Sequence, residues 1–205
     1  MSEISEKSEK KVEYLELIYD LIFVYIIGRN NSLLHYLDGG FINGGMFIAY
    51  VVCSFAVIQI WNFSAYYINI FGKNGLREHI FLFLNMFLLY FIAEGTGENW
   101  ENHYTQHHVA WSLILLNTAV QYLTEYHHHK ENQELAHQIR KSSAVLITEA
   151  VLILLAVPAY RLFRIEISWI AIVFGMAGAT FTGKRSEAYQ VDFMHLTERA
   201  MLYVV

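Results

Sequence analysis

Apolar runs separated by short polar segments divide most of the chain into stretches of membrane-spanning length. Only one Pro and twelve Gly interrupt the chain, which favours helices over strands in these runs. The pattern predicts six spans, at about residues 14–37, 44–71, 80–93, 105–124, 142–160 and 167–182. Residues 191–205 begin a seventh apolar helix. We therefore expect an all-α, multispan transmembrane helical bundle.

The polar connections indicate how the bundle is oriented. Asp38-Gly39-Gly40 ends the first predicted helix, and residues 125–141 form the most polar interior connection, expected to be a loop. Ten Lys and Arg residues fall on the N-terminal side of the predicted spans and three on the other side. Cationic loops remain in the cytoplasm, so we expect a cytoplasmic N-terminus in the inner membrane.

Composition supports a membrane protein and excludes other classes. The chain is 55% hydrophobic with a mean hydropathy of +0.31, more apolar than a soluble surface normally tolerates. Its net charge is −5 and its cations form no basic stripe, so no nucleic-acid partner is indicated. Cys53 is the single cysteine, which rules out an intrachain disulfide framework. The expected partner is the lipid bilayer.

Acidic residues mark one face of the first predicted helix. Glu13, Glu16 and Asp20 are spaced three and four apart, so about 100° per residue places them on one side. A carboxylate at membrane depth costs several kcal/mol unless it faces protein, water or a partner charge. This face is expected to point inward.

The C-terminal stretch VDFMHLTERAMLYVV repeats the pattern of the first helix. Asp192, His195 and Arg199 align with the three acids, and Glu198 lies beside them. The match indicates a parallel repeat of about 180 residues, although similar amphipathic helices could also match by chance. The expected division is a disordered cytoplasmic leader (1–11), a six-helix repeat (12–190) and the first helix of a truncated second repeat (191–205). The missing partner would be a C-terminal half or a second copy of the chain.

Three stretches resemble one known family. ELIYDLIFVYIIGR (16–29), WNFSAYYINIF (61–71) and VDFMHLTERAMLYVV (191–205) are similar, in order, to segments of the bacterial low temperature requirement A (LtrA) family. The resemblance implies a multi-pass membrane protein associated with growth in the cold, about twice this length. It also implies family-pattern positions at Trp61, Tyr67, Asn69, Phe71 and Arg77. Ile70 and Met194 depart from the pattern, which expects a basic residue and Pro there.

Glu149 is the other candidate for intramembrane chemistry. It is a lone acid in the middle of the fifth span, either functional or simply held by a hydrogen bond to a neighbouring helix. Gly175 and Gly178 in the sixth span are expected to allow close helix approach. The histidines (His103, His107, His108, His127, His128, His129 and His137) complete no known metal signature, so no metal or cofactor is predicted.

Two functions from different classes remain open at this stage. Buried charge combined with repeats suggests a transporter or channel for protons, ions or small solutes, with Glu16, Asp20, His195 and Arg199 lining the interface between halves. In the alternative, a non-transport adaptor or stress-response protein, the same charges only lock the halves together. A membrane enzyme using Glu149 or His195 as acid or base is a weaker possibility, because the sequence contains no soluble-enzyme motif.

Overall fold

Six α-helices make up most of the described part of the chain. The computed structural model describes residues 14–72, 75–96 and 100–183. Within them lie α1 (Tyr14–Asn31), α2 (Gly44–Phe71), α3 (Leu76–Glu94), α4 (Trp100–His128), α5 (Gln133–Phe163) and α6 (Ser168–Gly183). A short 3-10 turn (Ser32–His35) and a small hairpin, β1 (Leu37–Asp38) and β2 (Phe41–Ile42), join α1 to α2. The described residues are thus predominantly α-helical, as expected.

The first helix ends earlier than the sequence predicted. It was expected to continue to Leu37, but α1 stops at Asn31 and tightens into the 3-10 turn. The Ser32 hydroxyl donates to the Arg29 carbonyl at 2.7 Å. Asn and Ser side chains compete with the backbone for hydrogen bonds, which explains the early end.

A two-residue turn closes the hairpin that follows. Leu37 pairs with Ile42 and Asp38 with Phe41 in an antiparallel register. Gly39 and Gly40 both have positive φ, +59° and +87°. Two consecutive positive φ angles are typical of the type I′ turn that matches strand twist, and they explain why two glycines follow Asp38.

The polar stretch at residues 125–141 is largely helical, which corrects the predicted loop. Helix α4 continues to His128 and α5 begins at Gln133, leaving 129–132 as the connection. The Asn132 side chain caps α5 by accepting from the Leu135 amide at 3.2 Å. Leu135, Ala136 and Ile139 are buried at helical spacing. The segment is therefore an amphipathic helix whose exposed face carries the polar residues.

Contacts between neighbouring helices show an antiparallel arrangement. Tyr104 at the start of α4 stacks on Tyr160 near the end of α5, with ring centroids 4.0 Å apart. Arg77 at the start of α3 pairs with Glu125 near the end of α4. We call the end where α1 begins the N-terminal end. The opposite end, which carries β1 and β2, is the hairpin end.

Helix α6 packs closely on its neighbours at two glycines, as the sequence predicted. A Cβ built at Gly178 would lie 2.5 Å from Val145 Cγ1, and one at Gly175 would overlap the side chains of Gln59 and Glu149. Only glycine permits this approach of α6 to α2 and α5.

Large apolar side chains cover the outside of the bundle. Among the described helices, three are long and apolar enough to cross a membrane: α2, α3 and α5, with mean hydropathies of 1.8, 1.5 and 2.0. Ile58 on α2, Phe87 on α3 and Leu155 on α5 are each more than half exposed. An apolar outer surface of this kind is what hydrocarbon, rather than water, would solvate.

Candidate functional site: buried acids and their partners

The acidic face of α1 lies inside the protein. Glu16 is 6% exposed and Asp20 is fully buried, on the same side as the buried Tyr19 and Phe23. The polar face and the core-facing apolar stripe of α1 are therefore the same face. This explains how a helix with two acids in its first two turns packs into an apolar bundle.

Asp20 is held by a neutral donor from α2. The Trp61 indole Nε1 donates to Asp20 Oδ1 at 2.9 Å. An indole can only donate, so Trp61 suits a carboxylate acceptor in an apolar environment. This bond joins the middle of α1 to the middle of α2.

A chain of neutral hydrogen bonds extends from Tyr19 across the bundle. Its hydroxyl lies 3.0 Å from Ser64 Oγ on α2, and Asn85 Nδ2 on α3 approaches it at 3.5 Å. Asn117 Nδ2 on α4 donates to Asn85 Oδ1 at 2.8 Å. Four helices are thus joined through buried polar side chains, a role that Asn commonly has between packed helices.

A small cavity opens beside this chain toward the N-terminal end. Its volume is about 30 Å³, roughly the space of one water molecule. The polar groups among its lining residues are Glu16, Tyr19, Ser64, Tyr67, Glu78, His79, Asn85 and Gln121. The cavity brings an acid of α1 next to an acid and a histidine at the start of α3.

An ion pair closes the N-terminal end between α3 and α4. Arg77 Nη2 contacts Glu125 Oε1 and also lies 2.8 Å from Glu78 Oε1. His129 Nδ1 lies 3.7 Å from Glu125 Oε2. The Glu125 side chain is fully buried, whereas that of Arg77 is 36% exposed. The sequence pattern predicts a loop at Glu125 and does not indicate this pairing.

Aromatic rings enclose the ion pair. Tyr67 and Phe71 on α2 both contact the Tyr122 ring, at centroid distances of 5.2 Å and 5.8 Å. Phe71 also lies 5.9 Å from the His129 ring. These rings exclude water from the Glu125 side of the pair and so strengthen its attraction to Arg77.

Glu149 lies in a different environment, between α2, α5 and α6. It is fully buried, and neither carboxylate oxygen has a hydrogen-bond partner within the described part of the chain. The space beside Gly175 holds both Glu149 and the Gln59 amide, whose Nε2 donates to the Ile172 carbonyl at 3.4 Å. The Gln59 amide and the Glu149 carboxyl therefore lie close together in this space.

Helix α2 separates the two deepest acids. Trp61, which binds Asp20, and Gln59, which lies beside Glu149, are two residues apart on α2. Two residues rise about 3 Å and turn about 200°, so the acids flank α2 on opposite sides at nearly one depth. That depth is the middle of the most clearly apolar span from the sequence.

Several predicted site residues lie outside the described residues. They are Glu13, Asp192, His195, Glu198 and Arg199. The leader and the C-terminal repeat helix lie outside the described residues as well.

Comparison with known families decides what kind of protein this is. The sequence pattern described as bacterial low temperature requirement A protein (LtrA) matches residues 11–205. The chain belongs to the LtrA family. The resemblance seen in the sequence is thereby confirmed, and family membership and the apolar helices together point to a membrane protein. Comparison with curated proteins and with solved structures finds no match.

The LtrA-pattern positions gather near the N-terminal end, except for Trp61, which lies deeper in α2. Trp61 binds the acid of α1, Tyr67 and Phe71 belong to the aromatic cluster, and Arg77 forms the ion pair. Asn69 lies within the same last part of α2. Their functional roles remain predictions.

Five of the histidines singled out in the sequence divide into two groups. His127, His128 and His137 are exposed near the N-terminal end, whereas His107 and His108 are buried near the hairpin end. No group of three or more His, Cys, Asp or Glu side chains within residues 14–72, 75–96 and 100–183 is placed to hold a metal ion.

Proposed function

We propose that this LtrA-family protein is a six-span protein of the bacterial inner membrane that moves protons or other small ions along its buried carboxylates. Helices α1 to α6 would be the six spans, and the N-terminal end would face the cytoplasm, because most of the cations in the sequence fall in segments predicted on that side. Residues 191–205 would begin a second, parallel repeat that completes the pathway.

The observation that carries this proposal is the environment of Glu149. An ionised carboxylate that is buried without a partner costs many kcal/mol, so a buried Glu149 must bind a proton or a cation. A group that binds an ion inside an apolar bundle and lacks a fixed partner can also release it. That exchange is the elementary step of ion movement.

Asp20 extends the proposal to the other side of α2. It shares the depth of Glu149, and Glu16 lies one turn nearer the N-terminal end, beside the cavity. His195 and Arg199 of the repeat helix would complete the interface between halves, as the sequence suggested.

A flux assay on the full-length protein in liposomes tests this function. We expect an imposed proton or cation gradient to collapse through the wild-type protein, and Glu149→Gln or Asp20→Asn to abolish the flux. Glu134→Gln, which changes an exposed acid on the same helix as Glu149, is the matched control and should conduct normally. Equal flux through wild type and Glu149→Gln would refute the pathway.

The second candidate is a membrane adaptor whose charges only hold helices together. It is favoured by the partnered acids, because the Trp61–Asp20 bond and the Arg77–Glu125 pair both fix helix packing. Here Asp20→Asn should lower the melting temperature in detergent, exchange of Asp20 and Arg199 should restore it, and wild-type liposomes should show no flux.

A further inference from the structure

A second buried polar cluster lies at the hairpin end, away from the acids discussed above. His108 Nε2 on α4 lies 2.7 Å from Ser168 Oγ at the start of α6. Tyr104 Oη lies 3.1 Å from the same Oγ and donates to Glu166 Oε1 at 2.9 Å. Ser168 Oγ also contacts Glu166 Oε1 closely. We call Tyr104, His108, Glu166 and Ser168 the hairpin-end cluster.

The tautomer of His108 follows from its second contact. His108 Nδ1 lies 2.8 Å from the Tyr104 carbonyl oxygen. A carbonyl oxygen can only accept, so Nδ1 carries a hydrogen. When the ring is neutral, Nε2 is therefore bare and must accept the single hydrogen of the Ser168 hydroxyl.

Counting hydrogens shows that the cluster lacks one in its unprotonated state. With a neutral ring and an ionised Glu166, Ser168 donates to His108 and Tyr104 donates to Glu166. The close contact between Ser168 Oγ and Glu166 Oε1 then joins two acceptors with no hydrogen between them. Such contacts are repulsive. One added proton supplies the missing hydrogen. Only the longest contact, between Tyr104 Oη and Ser168 Oγ, then has no hydrogen between its two oxygens.

We propose that the hairpin-end cluster is a proton-binding site that holds one proton at neutral pH, shared between His108 and Glu166. With the proton on Nε2, His108 donates to Ser168 and Ser168 donates to Glu166. With the proton on the carboxyl, Glu166 donates to Ser168 and Ser168 donates to His108. In both forms a hydrogen lies in each of the three closest contacts, His108–Ser168, Ser168–Glu166 and Tyr104–Glu166. The added proton is therefore shared by His108 and Glu166 and is not assigned to either one alone.

The exposure of the two ends of the pair shows how the proton arrives. His108, Ser168 and Tyr104 are fully buried, whereas Glu166 is partly exposed in the α5–α6 connection. Water can therefore deliver a proton to Glu166, and the Ser168 hydroxyl relays it to His108. This inference rests on the cluster alone and holds whether or not the protein conducts ions.

The surrounding titratable groups come from three helices. His107 lies beside His108 with ring centroids 5.5 Å apart, and Tyr160 of α5 stacks on Tyr104. Cys53 of α2 belongs to the same buried apolar cluster as Tyr104, with Tyr50 at the edge of that cluster. Exposed Arg164 donates to Glu101 Oε2 at 3.0 Å, and this hydrogen bond raises the pKa of Arg164. Arg164 is thus engaged with Glu101, and nearby Arg161 donates to Thr105 Oγ1 at 3.0 Å.

Two spectroscopic signatures at about pH 7.5 test the site, since an isolated His or Glu would be mostly proton-free there. Histidine-selective ¹⁵N labelling of the protein in detergent reports an imidazolium at His108, assigned by its loss in His108→Gln. Infrared spectroscopy reports a protonated carboxyl at Glu166, assigned by its loss in Glu166→Gln. We expect one of the two signals, and loss of it in Ser168→Ala, because that change removes the hydroxyl whose hydrogen bonds to His108 and Glu166 stabilise the protonated pair.

A stability profile provides the second readout. The folded cluster binds a proton that the unfolded chain has already released at this pH, so stability should fall as pH rises and the folded site deprotonates. Glu166→Gln should flatten this fall in melting temperature, whereas His107→Gln, a neighbouring buried histidine outside the cluster, should retain it. Absence of both spectroscopic signals at about pH 7.5, or their persistence in both Glu166→Gln and Ser168→Ala, would overturn the proposal.

Discussion

Glu125 and Glu149 are equally buried glutamates in adjacent helices, yet their surroundings differ completely. Glu125 faces Arg77 and His129 at the N-terminal end of the bundle. Glu149 faces an amide and a glycine at mid-depth, with no partner for either oxygen among the described residues. Burial alone therefore does not indicate what an acid does. A fixed cation suits a structural acid, whereas the absence of one suits an acid that exchanges its ion.

Replacing Arg77, the cation that pairs with Glu125, should leave Glu125 without a charged partner on α3, as Glu149 is without one. Of the substitutions considered, this one should lower the free energy of unfolding most. Breaking a fully buried pair costs about 3–5 kcal/mol, and the partial exposure of Arg77 reduces this to about 2–3 kcal/mol for Arg77→Met. Thermal unfolding in detergent measures the change. Adding Glu125→Gln should recover most of it, and no recovery in the double variant would show that packing, not charge, explains the loss.

Asp20 is intermediate between Glu125 and Glu149, because its described partner is a neutral donor, the Trp61 indole. Removing that donor tests how much the hydrogen bond stabilises the buried acid. Trp61→Phe retains an aromatic ring but loses the hydrogen bond to Asp20, so we expect a loss of about 2 kcal/mol. Adding Asp20→Asn should add little to this loss, because the charge has already lost its donor. Fully additive losses in melting temperature would contradict a direct coupling between the two residues.

Filling the space beside Glu149 tests the packing of its site. Gly175→Ala places a methyl group against Gln59 and Glu149, and we expect a loss of about 1–2 kcal/mol as those side chains move. Gly28→Ala is the control, because a Cβ there meets nothing within 4 Å and alanine favours the helix. Equal melting temperatures for Gly175→Ala and wild type would show that α6 does not pack tightly at this point.

Neutralising Glu149 should have the smallest effect on stability. Glu149→Gln removes a carboxyl group whose burial is unfavourable, and it breaks no hydrogen bond among the described residues. The free energy of unfolding should therefore change by less than about 1 kcal/mol or rise. The matched Glu125→Gln should lower stability, because it leaves Arg77 facing a neutral side chain. If Glu149→Gln proves the more damaging of the two, Glu149 has a structural partner and the comparison fails.

The sequence predicted the positions of the helices better than the side-chain contacts between them. The segments predicted as spans two to six lie within helices, because long apolar runs with few breakers favour helix formation in a bundle. Helix α1 ended early because the Ser32 hydroxyl bonds to a nearby backbone carbonyl. The polar segment after Glu125 formed a helix because its buried residues keep helical spacing, a weaker signal than its overall polarity.

The site was predictable only where a charge stood out within its own helix. Asp20 and Glu149 were conspicuous as acids in apolar runs. Glu125 was not, because the cation that explains its burial is 48 residues away on α3. The hairpin-end cluster depends likewise on His108 meeting a serine 60 residues later. Hydropathy and spacing describe one helix at a time, and these sites form between helices.

The small cavity beside Glu16 bears on permeability. A space of about 30 Å³ accommodates one water but not an ion with its hydration shell. Stripping that shell in an apolar interior is prohibitively unfavourable, whereas a proton can cross such a gap by exchanging hydrogen bonds through a single water. If the proposed ion pathway passes through this cavity, the described conformation would admit only protons, which cross by rearrangement of hydrogen bonds. Passage of anything larger would then require α1 to separate from α2 and α3.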